Sequence, residues 1–98
     1  MRNIAQICDE IIDILDRKNR DYGNSFSEQW REYGMISSCI RLEDKMRRLK
    51  KLTMSSEQHV KDESVRDTLL DMCGYAILTI NELDNKIKIE NLTKTKED

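Results

Sequence analysis

The chain has 98 residues, no proline, three glycines and a formal net charge of −2 at pH 7. This length allows one domain, and the charge excludes a global basic field for duplex nucleic acid. No run of about 18 apolar residues is present, which excludes a transmembrane helix, and no signal-peptide pattern opens the sequence. We therefore expect a cytoplasmic protein with no membrane partner.

Helical periodicity runs through most of the chain, and glycines interrupt it. Apolar residues recur at three- and four-residue spacing over residues 3–18, which predicts a first helix. Gly23 and Asn24 supply turn chemistry. Residues 27–33 predict a short helix that ends at Gly34, since glycine commonly follows a helix C-terminus.

Two further helices are expected beyond Gly34. Residues 35–52 carry one apolar face, and the polar stretch "TMSSEQHVK", with a surface His59, follows as a connector. The last helix should start near Asp62 or Ser64, because Ser64 and Asp67 have capping-box spacing, and should reach about residue 89. The sequence thus predicts an all-α bundle of three long helices and one short one, forming a single domain (1–91) with a charged, flexible tail (92–98).

Composition also bears on assembly and on the cysteines. The charged fraction is 37% and the hydrophobic fraction 38%, which suits a helical protein that gains core by oligomerising. Apolar stripes on three helices exceed what so small a bundle needs, so we expect a homodimer or larger. Cys8, Cys39 and Cys73 are odd in number and lie among apolar neighbours, which predicts reduced core thiols.

A ladder of carboxylates crosses the most apolar segment, "DESVRDTLLDMCGYAILTI". Glu63, Asp67 and Asp71 are spaced i, i+4, i+8 and project from one helix face. Like charges so placed need either a hard cation such as Mg²⁺ or basic side chains from a facing helix. Both interpretations stay open, and the second predicts a salt-bridged network between helices.

A basic stripe lies on the preceding helix in "RLEDKMRRLKK". Arg41, Lys45 and Arg48 step along one face. Arginine and lysine in this arrangement suit phosphate recognition. A solvated helix face and neutralisation of the acid ladder are the alternatives.

Aromatic residues cluster around the first predicted turn, in "KNRDYGNSF" and "WREYG". Tyr22, Phe26 and Trp30 could stack a base while Asp21 or Asn24 reads its edge, with Lys18 beside them. A hydrophobic plug that closes one end of the bundle is the alternative interpretation.

The segments "KNRDYGNSF", "YGMISSCIRLEDKMRRLKKL" and "VKDESVRDTLLDMCGYAILTI" resemble, in that order, the phage-associated family nucleotide modification associated domain 1. That family resembles in turn the all-α nucleoside triphosphate pyrophosphatases, the MazG-like and dimeric dUTPase group. The resemblance implies a MazG-like oligomeric fold, an infected bacterial host cell as location, and a phosphorylated nucleotide as ligand.

The resemblance also implies roles for individual acids. Asp67 and Asp71 match the second acidic motif of the superfamily as metal-binding and catalytic residues, although their spacing is i, i+4 where the usual motif has i, i+3. The first motif, two glutamates three apart, is not intact. Glu43 and Asp44 stand in its place, and they and Glu63 complete the candidate metal ligands.

Two functions follow from this resemblance. The first is an enzyme, a Mg²⁺-dependent pyrophosphohydrolase of nucleoside triphosphates or modified nucleotides, with a metal-activated water as nucleophile. The second is a non-catalytic phage anti-defence sponge that sequesters a nucleotide immune signal, such as a cyclic nucleotide or cyclic ADP-ribose. In the sponge the arginines and aromatics bind the ligand, and the acids orient the arginines or read ribose hydroxyls. A protein-interaction module with an inherited fold is a third possibility.

Overall fold

A computed structural model describes the backbone of residues 3–54 and 58–97, and the side chains of residues 3–54 and 62–92. Within these ranges the chain forms four α-helices and no strand. The helices are α1 (Ile4–Tyr22), α2 (Ser25–Tyr33), α3 (Met35–Thr53) and α4 (Gln58–Glu97). The predicted all-α architecture, three long helices and one short, is confirmed.

Local sequence explains the first three helices. Asn3 caps α1, since its side chain accepts a hydrogen bond from the Ala5 N–H at 2.8 Å and Gln6 completes a capping box. Gly23 and Gly34 follow α1 and α2 with φ of 62° and 73°, in the left-handed region that favours glycine. The two turns that connect α1, α2 and α3 therefore lie at the predicted glycines.

The ends of α4 differ from the prediction. The helix already includes Gln58, and Ser64 lies inside it, where its carbonyl accepts the Thr68 hydroxyl at 2.7 Å. The predicted capping box at Ser64 is therefore wrong. The helix also continues to Glu97, past residue 89. Both extensions follow from the absence of glycine and proline in the flanking segments, which consist largely of residues that tolerate a helix.

Two predictions about α4 fall on residues whose side chains the structure does not describe. The predicted surface position of His59 lies outside the described side chains. The predicted flexibility of the tail 92–98 also stays a prediction, because the description of side chains ends at residue 92 and that of the backbone at residue 97.

The helices pack around α4. Its contact with α3 is the most extensive, α1 lies against another side of it, and α2 contacts α3 and α4. Forty residues at about 1.5 Å each give a helix of about 60 Å, which accounts for the longest dimension of the molecule, 62 Å. No helix in the described part of the chain is both long and apolar enough to cross a membrane.

The interior is small and partly polar. Among the described side chains, only Ile11 and Leu70 are buried large hydrophobics. Ser38 and Thr79 are also buried, and their hydroxyl oxygens lie 2.7 Å apart, which joins α3 to α4. Thr79 donates its own proton to the Tyr75 carbonyl at 2.7 Å. Ser38 is therefore the donor between the two hydroxyls.

The cysteines do not lie in this interior. Cys8, Cys39 and Cys73 are free, and each is exposed. The prediction of core thiols is wrong, because these residues lie on helix faces that no other described helix covers. Many aliphatic side chains are exposed in the same way, among them Ile4, Ile12 and Ile40.

Candidate functional site

A cavity of about 420 Å³ opens between α1, α2 and α4. Aliphatic side chains form its wall, among them Ile11, Ile14, Leu15, Leu70 and Leu78. Tyr22, Phe26 and Tyr75 add aromatic surface, and Lys18, Arg41 and Asp71 contribute charge. A largely apolar concavity with a few polar groups is the usual form of a small-molecule site.

Gly74 allows α1 and α4 to approach each other at this cavity. A Cβ atom at residue 74 would lie 3.3 Å from Leu15 Cδ2, a tight contact. Both residues line the cavity. The close approach therefore brings residues of α1 beside residues of α4 at the same wall.

Asp71 connects three helices at the edge of the cavity. One carboxylate oxygen lies 3.3 Å from Lys18 Nζ of α1, and the other lies 3.0 Å from Lys45 Nζ of α3. The Asp71 side chain is 26% exposed. Its partial burial raises the pKa of the carboxyl, but the hydrogen bonds and charges of Lys45 and Lys18 outweigh that effect, and the net pKa is lowered. Asp71 is therefore ionised at neutral pH.

Arg41 lies beside two aromatic rings. The Phe26 and Tyr75 rings are nearly parallel, with centroids 6.3 Å apart, and the Arg41 Cζ atom is 5.1 Å and 5.4 Å from their centroids. Arg41 Nε donates to Gln29 Oε1 at 2.9 Å. Lys18 Nζ lies 5.8 Å from the Tyr75 centroid. Cationic and aromatic groups thus share one side of the cavity.

Ser27 fixes α2 at the opposite margin by a hydrogen bond to Glu82. Ser27 also lines the cavity, together with Asn24 and Phe26. The first turn of α2 is thereby held against α4, and α2 supplies one wall of the site.

The structure brings together about half of the predicted site residues. Six line the cavity: Lys18, Tyr22, Asn24, Phe26, Arg41 and Asp71. Lys45 adjoins it through Asp71. The lining does not include the other seven, which are Asp21, Trp30, Glu43, Asp44, Arg48, Glu63 and Asp67.

The residues outside the cavity occupy different surroundings. Glu43 pairs along α3 with Arg47 at 2.7 Å, and both side chains are well exposed. Asp67 is exposed one turn before Asp71. Trp30 is half-buried, while Tyr22 is 72% exposed. The ion pairing that neutralisation of the acid ladder requires is present at Asp71, which lies beside Lys18 and Lys45.

The model of the family named nucleotide modification associated domain 1 matches residues 18–83. The chain belongs to this family. The match covers two thirds of the sequence and includes Lys18, Arg41, Asp71 and Tyr75. No protein in the search of curated sequences and no solved structure matches the chain.

Sequence reasoning missed three contributors to the site in this member of the nucleotide modification associated domain 1 family. Tyr75 lies four residues after Asp71, and this spacing alone places both on one helix face. Gly74 gave no signal, because its role depends on the approach of Leu15 from another helix. Gln29 likewise contacts Arg41 only through the packing of α2 on α3.

The predicted metal site includes Asp67 and Asp71 of α4. Among the described residues, no group of three histidines, cysteines or carboxylates could hold a metal ion. Both oxygens of Asp71 face ammonium groups. Since Mg²⁺ often uses one or two carboxylates together with substrate phosphates, its binding through Asp67 and Asp71 stays a prediction.

Proposed function

We propose that the chain binds a phosphorylated nucleotide in the cavity between α1, α2 and α4 and does not cleave it. One observation carries this proposal: at the edge of an apolar cavity, Arg41 lies beside the nearly parallel rings of Phe26 and Tyr75, and Lys18 lies beside Tyr75. The cations suit a phosphate, the rings suit a base, and the aliphatic wall suits the remaining surface of the ligand.

The charge of the site favours a dianion. Lys18, Arg41 and Lys45 carry three positive charges and Asp71 carries one negative charge, so these four groups leave an excess of two. A phosphate monoester carries about −1.5 to −2 at pH 7. A nucleoside monophosphate, or a cyclic nucleotide with two phosphodiesters, matches this excess better than a triphosphate without a counterion.

The volume favours a single nucleotide unit. A cavity of about 420 Å³ lies near the lower end of the range for small-molecule sites, about 300–1,000 Å³. Within one protomer this space suits one base and its sugar. A cyclic dinucleotide would extend beyond the cavity past Lys18 and Tyr22, whose side chains are substantially exposed.

Binding is favoured over hydrolysis by the surroundings of Asp71. The Asp71 carboxylate accepts hydrogen bonds from the ammonium groups of Lys18 and Lys45. These bonds engage both of its oxygens with the lysines and not with a metal ion. Bound Mg²⁺ would supply Lewis acidity and an activated water in the pyrophosphohydrolase alternative. A sponge for a nucleotide immune signal needs only the binding step, and this is the role we propose for a phage setting.

Calorimetry with a nucleotide panel tests the proposal. The panel contains mono-, di- and triphosphates and cyclic nucleotides, each with and without Mg²⁺, and mass spectrometry after heat denaturation identifies the released molecule. Intact ligand and no product are expected. Catalytic turnover would overturn the proposal in favour of the Mg²⁺-dependent enzyme.

A matched pair of variants locates the site. Arg41→Gln should weaken nucleotide binding about tenfold or more, because a hydrogen bond to a charged group contributes about 1.5–3 kcal/mol. Arg48→Gln removes the same charge from α3 outside the cavity and should leave affinity within twofold. Equal losses for the two variants would show that general surface charge, not this cavity, attracts the ligand.

We further propose that the chain self-associates. Among the described side chains, two large hydrophobics are buried while many remain exposed on α1, α3 and α4. A single bundle of this size buries too little apolar surface to be robust. Sedimentation equilibrium at micromolar concentration should give at least twice the monomer mass.

A further inference from the structure

One face of α4 carries an exposed apolar stripe. Its members follow one another at alternating steps of four and three residues: Leu69, Cys73, Ala76, Ile80, Leu83 and Ile87. Leu69, Ile80 and Ile87 are 46%, 56% and 54% exposed. The alternation of four and three is the repeat by which two helices pack side by side over several turns.

The stripe lies away from the rest of the chain. Asp71 and Tyr75, which face α1, α2 or α3, project from the far side of α4. Beyond Glu82, every described side chain up to residue 92 is exposed. Because isolated helices shorter than about 12–15 residues are marginal in water, this projecting part of α4 needs a packing partner.

We propose that this partner is a second copy of the chain, whose α4 lies antiparallel along the stripe with the twofold axis near residue 78. This inference rests on the self-association proposed above and is independent of nucleotide binding. The antiparallel register places Leu69 opposite Ile87 of the second copy, Cys73 opposite Leu83, and Ala76 opposite Ile80. A small residue then faces a large one at the two central layers, which favours close packing.

Charge at the two ends of the stripe favours the same orientation. Arg66 lies three residues before Leu69, and Glu90 lies three residues after Ile87, so both continue the repeat. The antiparallel register sets Arg66 opposite Glu90 of the second copy. A parallel pair in register sets Arg66 against Arg66 and Glu90 against Glu90, which is unfavourable.

Arg66 can bind Glu10 of its own chain and Glu90 of the second copy at the same time. It already binds Glu10 through two hydrogen bonds, of 2.9 and 2.6 Å, and its side chain is 40% exposed. A guanidinium has five N–H donors, so further donors are available for a second carboxylate.

Cysteine cross-linking tests the register. In a background of Cys8→Ser and Cys39→Ser, the variant Leu83→Cys should form a covalent dimer with Cys73 on mild oxidation. Residues 73 and 83 of one helix lie about 15 Å apart along its axis, so they cannot join within one chain. The same background with Leu83 retained should stay uncross-linked, because antiparallel packing separates the two Cys73 residues by the same 15 Å.

Cross-linking and sedimentation together distinguish the possible arrangements of the dimer. A covalent dimer through Cys73 alone would overturn the antiparallel orientation in favour of the parallel one. A dimer by sedimentation that cross-links in neither variant would overturn the α4 stripe as interface while leaving self-association intact. A monomer by sedimentation would overturn both. Far-ultraviolet circular dichroism confirms that each variant retains its helices.

A second pair of variants tests the face itself. Ile87→Asp should shift the protein to monomer, while Leu92→Asp should not. The two side chains are 54% and 56% exposed, but they point about 140° apart around the helix. Nucleotide affinity of the Ile87→Asp monomer should be unchanged, because the whole cavity lies within one chain. Equal dissociation by both variants would overturn the stripe as the interface.

Discussion

Replacing Asp71 by asparagine tests how the site is held together. The substitution keeps the size of the side chain and removes the charge that Lys18 and Lys45 share. It leaves two ammonium groups at 3.3 and 3.0 Å from a neutral amide. We expect lower stability, while attraction of the site for a phosphate should increase because its excess positive charge rises from two to three.

The loss of stability in Asp71→Asn follows from the distances between the charges and from their exposure. Two charges about 3 Å apart interact by roughly 1.4 kcal/mol at the dielectric constant of water and by more where solvent is excluded. The pair with Lys18 is strongly discounted, because Lys18 is 46% exposed and such pairs contribute about 0–1 kcal/mol. Lys45 is 27% exposed and contributes more. The expected loss is about 1.5 kcal/mol, or roughly 6–12 °C in Tm for a domain of this size.

Thermal and urea unfolding of the wild type and the variant measure this loss. Both proteins are compared at one concentration, since association alters Tm. Asp67→Asn is the matched control, because Asp67 is exposed one turn earlier on the same helix, and it should change stability by less than about 0.5 kcal/mol. Equal effects of the two variants would refute the argument. Loss of a Mg²⁺-dependent turnover in Asp71→Asn at unchanged stability would instead identify Asp71 as a metal ligand.

Three further predictions concern the same helices. The pKa of Asp71 is lowered in the folded protein. The stability difference between wild type and Asp71→Asn should therefore be constant above about pH 5 and shrink below the ordinary aspartate pKa of about 4. Urea titrations from pH 3 to 7 measure this difference. Gly74→Val should lower the free energy of unfolding by about 1–3 kcal/mol and weaken nucleotide binding, because Leu15 must move from its place in the cavity wall; Tm and calorimetry check both effects. Thr79→Val should lower the free energy of unfolding by about 1–3 kcal/mol, since it leaves the buried Ser38 hydroxyl without its acceptor. Ser38→Ala should lower it less, because the Thr79 hydroxyl still donates to the Tyr75 carbonyl. The double variant should then be more stable than Thr79→Val alone.

The helices could be predicted because their signals are local. Spacing of apolar residues located α1 and α3, and Gly23 and Gly34 marked two boundaries where a positive φ is needed. The start of α4 could not be located in this way. Ser64 has the chemistry of a cap, but nothing in the residues just before it stops a helix, so the cap is not used.

The site was predictable only in its residue types. The charged and aromatic clusters of the sequence predicted Lys18, Phe26, Arg41 and Asp71 as site residues, and the fold brings these four together at the cavity. The sequence could not show which carboxylate of the ladder meets a lysine, because that depends on how α1 and α3 pack against α4. The packing of α3 on α4 brings Lys45 to Asp71, whereas Glu43 pairs with Arg47 on the exposed surface of α3.

The contacts that position α1 have a consequence for the order of folding. Glu10–Arg66 and Lys18–Asp71 join residues 56 and 53 positions apart, whereas Gln29 and Arg41 are only 12 apart. Because closing a long loop costs more entropy than closing a short one, α1 should dock on α4 after α2 has packed on α3. The cavity, which needs α1 against α4, then forms late in folding. Amide hydrogens of α1 should accordingly exchange faster than those of α3 and α4, and a bound nucleotide should slow them most.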